Sequence, residues 1–215
     1  MITPGDLAVI VGLNVVGAAA PGPDVILITR TATRSRKHAW ATTCGILTGV
    51  LLWSTLTVVG AATLLTAFPW ALSAVQVIGG AFLLWMAQAN IRQGWRDRTT
   101  PPVDLDEAEA ALGRLRTSYL KGLSTNLANP KIVIALTAMI APLLPPQPSV
   151  ATAVIVILSM WASAFALFGV LSHVVSTERV RRRLLAAGPL IDMGSGTFFA
   201  LVGALLILRA AAQPV

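Results

Sequence analysis

The sequence predicts an all-α integral membrane protein with six transmembrane helices. Three observations carry this prediction. The chain of 215 residues is 55% hydrophobic and 12% charged, with a mean hydropathy of +0.76, whereas soluble domains carry about 25% charged residues. Six apolar runs approach or exceed the about 20 residues that a helix needs to cross a bilayer. The basic residues lie between alternate runs, as the positive-inside rule requires of a multi-pass protein.

The apolar runs give the predicted spans in order. They lie at about residues 7–28, 40–66, 69–91, 120–144, 150–175 and 193–208. At the start of the first helix, Thr3 can act as the N-cap, Pro4 suits the first helical position and Asp6 completes a capping box. The last span is the shortest, and we expect Asp192, which precedes it, to cap it on the cytoplasmic side.

The basic residues predict the orientation. Fourteen of the 16 Lys and Arg residues lie in or directly beside the connections after spans one, three and five, which places those connections in the cytoplasm. Both termini are then expected on the periplasmic or extracellular side of a bacterial inner membrane. The two exceptions are Arg209, close to the end of the chain, and Lys131, which lies within span four.

The chain divides into three predicted segments. Residues 1–96 form a first three-helix repeat, 97–117 a cytoplasmic linker, and 118–215 a second three-helix repeat. Apolar residues recur at helical spacing from Leu105 to Tyr119, which favours a short amphipathic helix on the membrane surface. Residues 178–190 are a second candidate, with arginines turned to lipid headgroups. A plain solvated linker is the alternative interpretation of both segments.

The two halves resemble each other. Ile78–Leu83 in span three resembles Gly194–Phe199 in span six, and the interruption Ala20–Asp24 of span one corresponds to Asn126–Lys131 in span four. Each half has an odd number of spans, so the second half must enter the membrane from the opposite face. Paired interrupted segments in such an inverted repeat are typical of a transporter binding site.

Prolines cause the two predicted interruptions. Pro21, Gly22 and Pro23 cannot continue a regular helix, and Pro130 breaks span four, because proline removes a backbone hydrogen bond and clashes with the preceding turn. Backbone groups freed in this way cannot face lipid hydrocarbon and must line protein or a hydrated cavity. We therefore expect broken helices one and four to enclose a hydrated pocket.

Each interruption carries a charged residue. Asp24 lies in the first and Lys131 in the second, together with Asn126 and Asn129; ionised groups at membrane depth are costly and are by default candidates for function. We predict these four residues as the substrate- or proton-binding site. The alternative is a packing kink in which Asp24 reaches the headgroups or pairs with Arg30, while the asparagines satisfy the broken backbone.

The same sequence excludes several other classes of protein. One cysteine, Cys44, and two distant histidines, His38 and His173, make a metal site improbable and a disulfide framework impossible. No catalytic constellation is present, so we predict a protein that is not an enzyme and needs no cofactor. The net charge of +7 lies in clusters between apolar runs, which argues against nucleic acid as a partner.

Several further residues receive packing interpretations. Gly45 and Gly49 form a small-xxx-small pair that is explained at least as well by packing within the bundle as by dimerisation, which leaves homo-oligomer formation open. Asn14 is explained by a hydrogen bond between helices. Trp53 and Trp85 are expected in the core or against lipid.

Together these motifs resemble the LysE/RhtB family of amino-acid exporters. The motifs that carry the resemblance are Pro21–Asp24, the Gly45 and Gly49 pair, Ile78–Trp85 and Asn129–Lys131. The resemblance covers nearly the whole chain and implies export of amino acids or related metabolites across the inner membrane, driven by proton antiport. The chain departs from the family in having Ala39-Trp40 near the start of span two and Phe82 where tyrosine is common.

A mechanism follows as a hypothesis. The ammonium group of a zwitterionic substrate would lie near Asp24, and its carboxylate near Lys131 or a half-helix N-terminus. Asp24 is also the candidate proton carrier, because a carboxylate withdrawn from water takes up a proton more easily. The alternatives are an exporter of metal or other inorganic ions and a non-transporting membrane scaffold. The expected partners are a small-molecule substrate, protons and the lipid bilayer.

Overall fold

The computed structural model describes residues 2–19, 22–60, 69–99, 105–129, 132, 136, 143–144, 148–185 and 187–212. These residues form helices and connecting turns, without strands. The helices of this described part are α1 (Pro4–Ala19), α2 (Pro23–Arg34), α3 (Arg36–Val58), α4 (Pro69–Thr99), α5 (Leu105–Ala110), α6 (Leu115–Leu127), α7 (Val150–Val175), α8 (Glu178–Leu185) and α9 (Gly188–Ala212).

The first predicted span is divided into two helices. α1 ends at Ala19, α2 begins at Pro23, and their axes differ in direction by 61°. Gly22 caps α2 with extended backbone (φ −170°, ψ 175°), and Pro23 occupies the first turn, where proline needs no hydrogen-bond donor. The chain therefore changes direction at the predicted interruption, although Pro21 itself lies outside the described residues.

Three helices are long and apolar enough to cross a membrane. These are α3, α7 and α9, and the bent pair of α1 and α2 passes the same test as a fourth. The described residues thus supply three or four candidate spans towards the six predicted. Many large apolar side chains point outward, among them Val150 at 82% and Leu201 at 67% exposed. Exposure of so many large apolar side chains fits a multi-pass membrane protein.

Several helices are longer than the apolar runs alone predicted. α7 has the predicted bounds 150–175, but α2 continues to Arg34 and α4 to Thr99. α9 begins at Gly188, so Asp192 lies inside the helix and is 1% exposed. The prediction that Asp192 caps the last span is therefore wrong. Its carboxylate is paired with arginines of α2, which lets the helix extend past a charged residue.

The predicted surface helices are shorter than expected. α5 ends at Ala110, Gly113 turns the chain with a positive φ of 75°, and α6 begins at Leu115. Leu115 and Tyr119 therefore belong to a separate helix. In α8, Arg181 does not face lipid headgroups, because it donates hydrogen bonds to the backbone carbonyls of Arg34 and Leu105.

Close backbone contact joins α3 and α6. A methyl group on Gly45 would overlap the carbonyl of Tyr119, and one on Gly122 would overlap the carbonyl of Thr42. Farther along both helices, Gly49 lies against the side chain of Asn126, so the two helices run in the same direction. The predicted role of Gly45 in packing within the bundle agrees with this contact.

Glycines also bring α4 and α9 together. A methyl group on Gly80 would lie 2.8 Å from the carbonyl oxygen of Gly203, and one on Gly94 would lie 2.7 Å from that of Pro189. Contacts later in α4 thus fall earlier in α9, so this pair is antiparallel. The two segments that resemble each other in sequence lie on these two facing helices.

Candidate functional site

A cavity lies where the chain breaks between α1 and α2. Its walls come from α1, α2, α3, α6 and α7, and its volume is about 60 Å³. A cavity needs a volume of roughly 10–15 Å³ to hold one water molecule, so this one has room for several. Most of the wall is apolar, including Val50 of α3 and Phe168 of α7. The polar groups on the wall are few, which is typical of small-molecule sites.

Asp24 is the charged residue on the wall of the cavity among the residues described. It lies in the first turn of α2 and is 7% exposed. Its Oδ2 accepts a hydrogen bond of 2.9 Å from Nδ2 of Asn126, which is fully buried in α6. Because the N-terminus of a helix favours negative charge, the start of α2 at Pro23 suits a carboxylate at this position.

Gly49 makes room for the side chain of Asn126. A methyl group at Gly49 would overlap Oδ1 of Asn126 and approach its Cβ to 3.0 Å. Asn126 is in the last turn of α6, whose C-cap is Ala128. The parallel packing of α3 against α6 therefore fixes where the amide group lies, and through it the partner of Asp24.

Three neutral polar atoms on the cavity residues are buried without a hydrogen-bond partner in the described part of the chain. They are Oδ1 of Asn126, Nε1 of Trp53 and Oγ of Ser54. Ser54 was not predicted as a site residue, and Trp53 was expected in the core or against lipid. Trp53-Ser54 is a polar dipeptide within an apolar run, which is the feature of the sequence that could have indicated these residues. The sequence does not reveal, however, which face of α3 meets a cavity.

The other predicted site residues have different positions. Gly22 lines the cavity beside Asp24. Asn129 is 3% exposed and its backbone amide donates to the carbonyl of Asn126 at 3.1 Å, but it is not among the lining residues. The side chain of Asn126 bonds to Asp24. The alternative interpretation gave Asn126 only the role of satisfying the broken backbone. Lys131 and Pro130 lie outside the described residues, as does Pro21.

A second buried polar group lies farther along α2. We call Arg30, Arg34, Asp97 and Asp192 the ionic cluster; their exposed fractions are 7%, 5%, 5% and 1%. Arg30 Nε lies 2.6 Å from Asp192 Oδ1, Arg34 Nη2 lies 2.9 Å from Asp97 Oδ2, and Arg34 also pairs with Asp192. The cluster ties α2 to α4 and α9. Arg30, the alternative partner of Asp24, is thus bound to Asp192.

Asn14 shows how a polar side chain is satisfied between helices. Its Nδ2 donates to the carbonyl of Met160 at 3.0 Å and to Oγ of Ser163 at 2.9 Å. The predicted hydrogen bond between helices is confirmed. No group of three or more His, Cys, Asp or Glu that could hold a metal ion occurs among the residues described.

Comparison with known proteins identifies the family. The model of the family described as LysE type translocator matches residues 15–210 of the chain. The chain belongs to this family. Translocators are transporters, which confirms the resemblance found in the sequence and the prediction that this protein is not an enzyme. Membership also favours transport over the alternative of a non-transporting scaffold.

The chain is also similar to individual proteins of several bacteria. The chain is 33% identical over 123 residues to a protein of Escherichia coli named threonine efflux protein, a match covering 57% of this chain and 58% of that relative. It is 28% identical to the threonine efflux protein of Salmonella typhimurium over 201 residues, a match covering 91% of this chain and 94% of that relative. An uncharacterized membrane protein of Haemophilus influenzae is 23% identical over 91% of this chain and 92% of its own length. No solved structure matches the chain.

Proposed function

We propose that this translocator exports a small amino acid across the bacterial inner membrane by proton antiport and alternating access. The observation that carries the proposal is the cavity at the junction of α1 and α2, where a buried carboxylate, Asp24, is bonded to a buried amide, Asn126. A carboxylate beside hydrogen-bonding groups in an otherwise apolar cavity complements the ammonium group of an amino acid. The names of the relatives make L-threonine the first substrate to test.

Within this proposal the substrate has a defined orientation. Its ammonium group lies against Asp24, and the predicted partner of its carboxylate is Lys131. Asn126 holds the Asp24 carboxylate in position through the bond of 2.9 Å. Asn129, close by at the end of α6, supports the same segment. A cation and an anion at the two ends of the site would select zwitterions over simple ions, which disfavours an exporter of metal ions.

Asp24 is also the proposed proton carrier. A carboxylate that binds either a substrate ammonium group or a proton couples the two, because each occupant excludes the other. Movement of protons into the cell would then drive substrate out. The burial of Asp24, which is 7% exposed, supports this role since it limits exchange with bulk water.

The contacts between helices support an inverted repeat of three plus three spans. Such a repeat relates α1–α2 to α6, α3 to α7, and α4 to α9. Its symmetry exchanges the two halves, so contacts between helices can be compared in exchanged pairs. α3 packs on α6 and, in the exchanged position, α7 packs on α1 and α2; likewise α2 meets α9, and α6 meets α4.

The directions of the helices support the proposed topology as well. α3 and α6 are parallel, whereas α4 and α9 are antiparallel. α3 and α7 are also antiparallel, because Arg36 bonds to Ser176 while Thr43 bonds to the earlier Ser172. These directions fit six successive spans that alternate in direction, with both termini on one side, which the proposal takes to be the periplasmic side. The proposed repeat boundaries remain residues 1–96 and 118–215, joined by 97–117.

Transport by purified protein in proteoliposomes tests the proposal. Uptake of labelled L-threonine into vesicles with an acidic lumen should exceed uptake without a pH gradient. Asp24→Asn should abolish this stimulation, because an amide neither carries the proton nor balances the ammonium group. Asp106→Asn, the same change on an exposed residue of α5, should transport as the unmodified protein does. Stimulation that survives Asp24→Asn would remove Asp24 from the mechanism.

A further inference from the structure

The hydroxyl groups of α3 differ in how they are satisfied. Thr48, Thr55 and Thr57 each donate to the backbone carbonyl four residues earlier, at 2.8 to 2.9 Å. This bond is the usual way for a helix in an apolar environment to satisfy a hydroxyl group. Ser54 does not make it, although it is 1% exposed and the carbonyl of Val50 precedes it by four residues. Its Oγ has no partner in the described residues.

The neighbouring Trp53 repeats this pattern with a different group. The residue is 6% exposed, and its Nε1, which can only donate a hydrogen bond, is likewise buried and without a partner among the described residues. Both residues line the cavity. A buried donor left unsatisfied costs about 1–3 kcal/mol. Thr42 of α3 also has a buried hydroxyl without a partner in the described residues, but Trp53 and Ser54 are the two of these α3 residues that line the cavity.

We propose that Trp53 and Ser54 form a donor pair that binds an oxygen atom of the substrate. An indole N–H and a hydroxyl group on one wall offer two donors to an acceptor oxygen inside the cavity. The ammonium group lies beside Asp24, whose partner Asn126 has its own Oδ1 packed against Gly49. The polar atoms of the wall thus match the two ends of an amino acid.

This inference rests on the proposed function, because it assumes that an amino acid occupies the cavity. The acceptor oxygen has two sources, the carboxylate group of the substrate and a hydroxyl group on its side chain. Three probes distinguish them. L-Threonine has both groups, L-2-aminobutyrate lacks the hydroxyl group, and L-threoninol lacks the carboxylate.

Equilibrium binding of the labelled probes to purified protein in nanodiscs tests the donor pair. Ser54→Ala removes one donor with little change of shape, and Trp53→Phe removes the other together with part of the ring. We expect each variant to bind L-threonine at least about fivefold more weakly, the range for a lost hydrogen bond in a site shielded from water. Thr55→Ala and Trp85→Phe are the matched controls, because the Thr55 hydroxyl is bonded to Leu51 and Trp85 is 55% exposed. Both should bind as the unmodified protein does.

The pattern over the three probes decides between outcomes. Equal weakening for L-threonine and L-2-aminobutyrate, with L-threoninol unaffected, supports the donor pair as a carboxylate site. Weakening for L-threonine and L-threoninol alone supports it as a hydroxyl site. Variants that bind every probe with unchanged affinity overturn the inference while the proposed function stands. Unmodified protein that binds none of the three overturns the proposed function as well.

Discussion

Two groups of polar side chains are buried along the same helix of this translocator. At the start of α2, Asp24 lines a cavity together with unpartnered neutral groups of α3 and α6. Two to three turns later, Arg30 and Arg34 pair with carboxylates of α4 and α9. The ionic cluster is packed and its four charges compensate one another, whereas the cavity has empty volume and donors without acceptors.

The contrast separates a structural role from a binding role. A buried ion pair stabilises a fold only when both partners are present, so removal of one leaves a buried charge without compensation. A site for a ligand has the opposite property, because its hydrogen bonds are completed only when the ligand arrives. Burial of charge alone therefore does not identify a functional region in this protein. The proposed site rests instead on unpartnered polar atoms of residues that line a cavity.

The largest expected effect is on the stability of the ionic cluster. Asp192→Asn removes the carboxylate that pairs with both Arg30 and Arg34 and should lower the free energy of unfolding by about 3–5 kcal/mol. Unfolding by sodium dodecyl sulfate in dodecyl maltoside micelles measures this. The folded fraction should bind L-threonine with unchanged affinity, since Asp192 lies outside the cavity.

A double variant sharpens this prediction. Arg30→Met combined with Asp192→Leu removes one charge of each sign and leaves the pair of Arg34 with Asp97 at 2.9 Å. Because replacing a whole buried ion pair by apolar residues is often close to neutral, most of the lost stability should return. A single variant Asp192→Asn within about 1 kcal/mol of the unmodified protein would contradict the structural role of the cluster.

The effect expected at Gly49 is intermediate in size, and it includes weaker binding of the substrate. In Gly49→Ala the added methyl group would overlap Oδ1 of Asn126 and crowd its Cβ, so this buried side chain must shift. The bond to Asp24 is lost, and we expect L-threonine to bind about tenfold more weakly, a change of about 1.4 kcal/mol. The free energy of unfolding should also fall by about 1–3 kcal/mol, the usual cost of an added methyl group in a packed interior.

Gly194→Ala is the matched control for Gly49→Ala, because a methyl group at Gly194 meets no atom within 4 Å. It should leave both binding and stability near those of the unmodified protein. Gly49→Ala protein with normal affinity for L-threonine would mean that the position of the Asn126 amide does not matter to the site.

The smallest effect is expected at Asn14, where the polar group is already satisfied by the protein. Asn14→Ala removes the hydrogen bonds to Met160 and Ser163. Bonds between helices in membrane proteins contribute about 0.6 kcal/mol on average and at most about 1.7 kcal/mol. The same unfolding measurement should give a loss of stability in this range. A loss as large as that of Asp192→Asn would mean that the hydrogen bonds of Asn14 stabilise the fold as much as the ionic cluster does.

The sequence predicted the positions of the helices better than their ends. Prolines and glycine predict where α1 gives way to α2, because their effect on a helix is local. The bounds of α7 follow from an apolar run flanked by Ser149 and Ser176. The early start of α9 could not be predicted, because Asp192 is compensated by arginines about 160 residues away in the chain, a contact that no local pattern contains.

The same distinction holds for the site. Asp24 and Asn126 were predicted because a charge or amide at a helix interruption stands out in an apolar sequence. Trp53 and Ser54 were not, since a residue that faces lipid, core or cavity has the same sequence context inside an apolar helix. Only the packing of α3 against its neighbours determines which of its faces lines the cavity.

The glycines that join α4 to α9 and α3 to α6 have a mechanical consequence. With backbone against backbone, neither pair can rotate or slide by a residue without driving Cα atoms into neighbouring side chains. Each pair therefore resists sliding along its own interface. The short helix α2 touches both pairs, so a displacement of one pair relative to the other would have to change the contacts of α2.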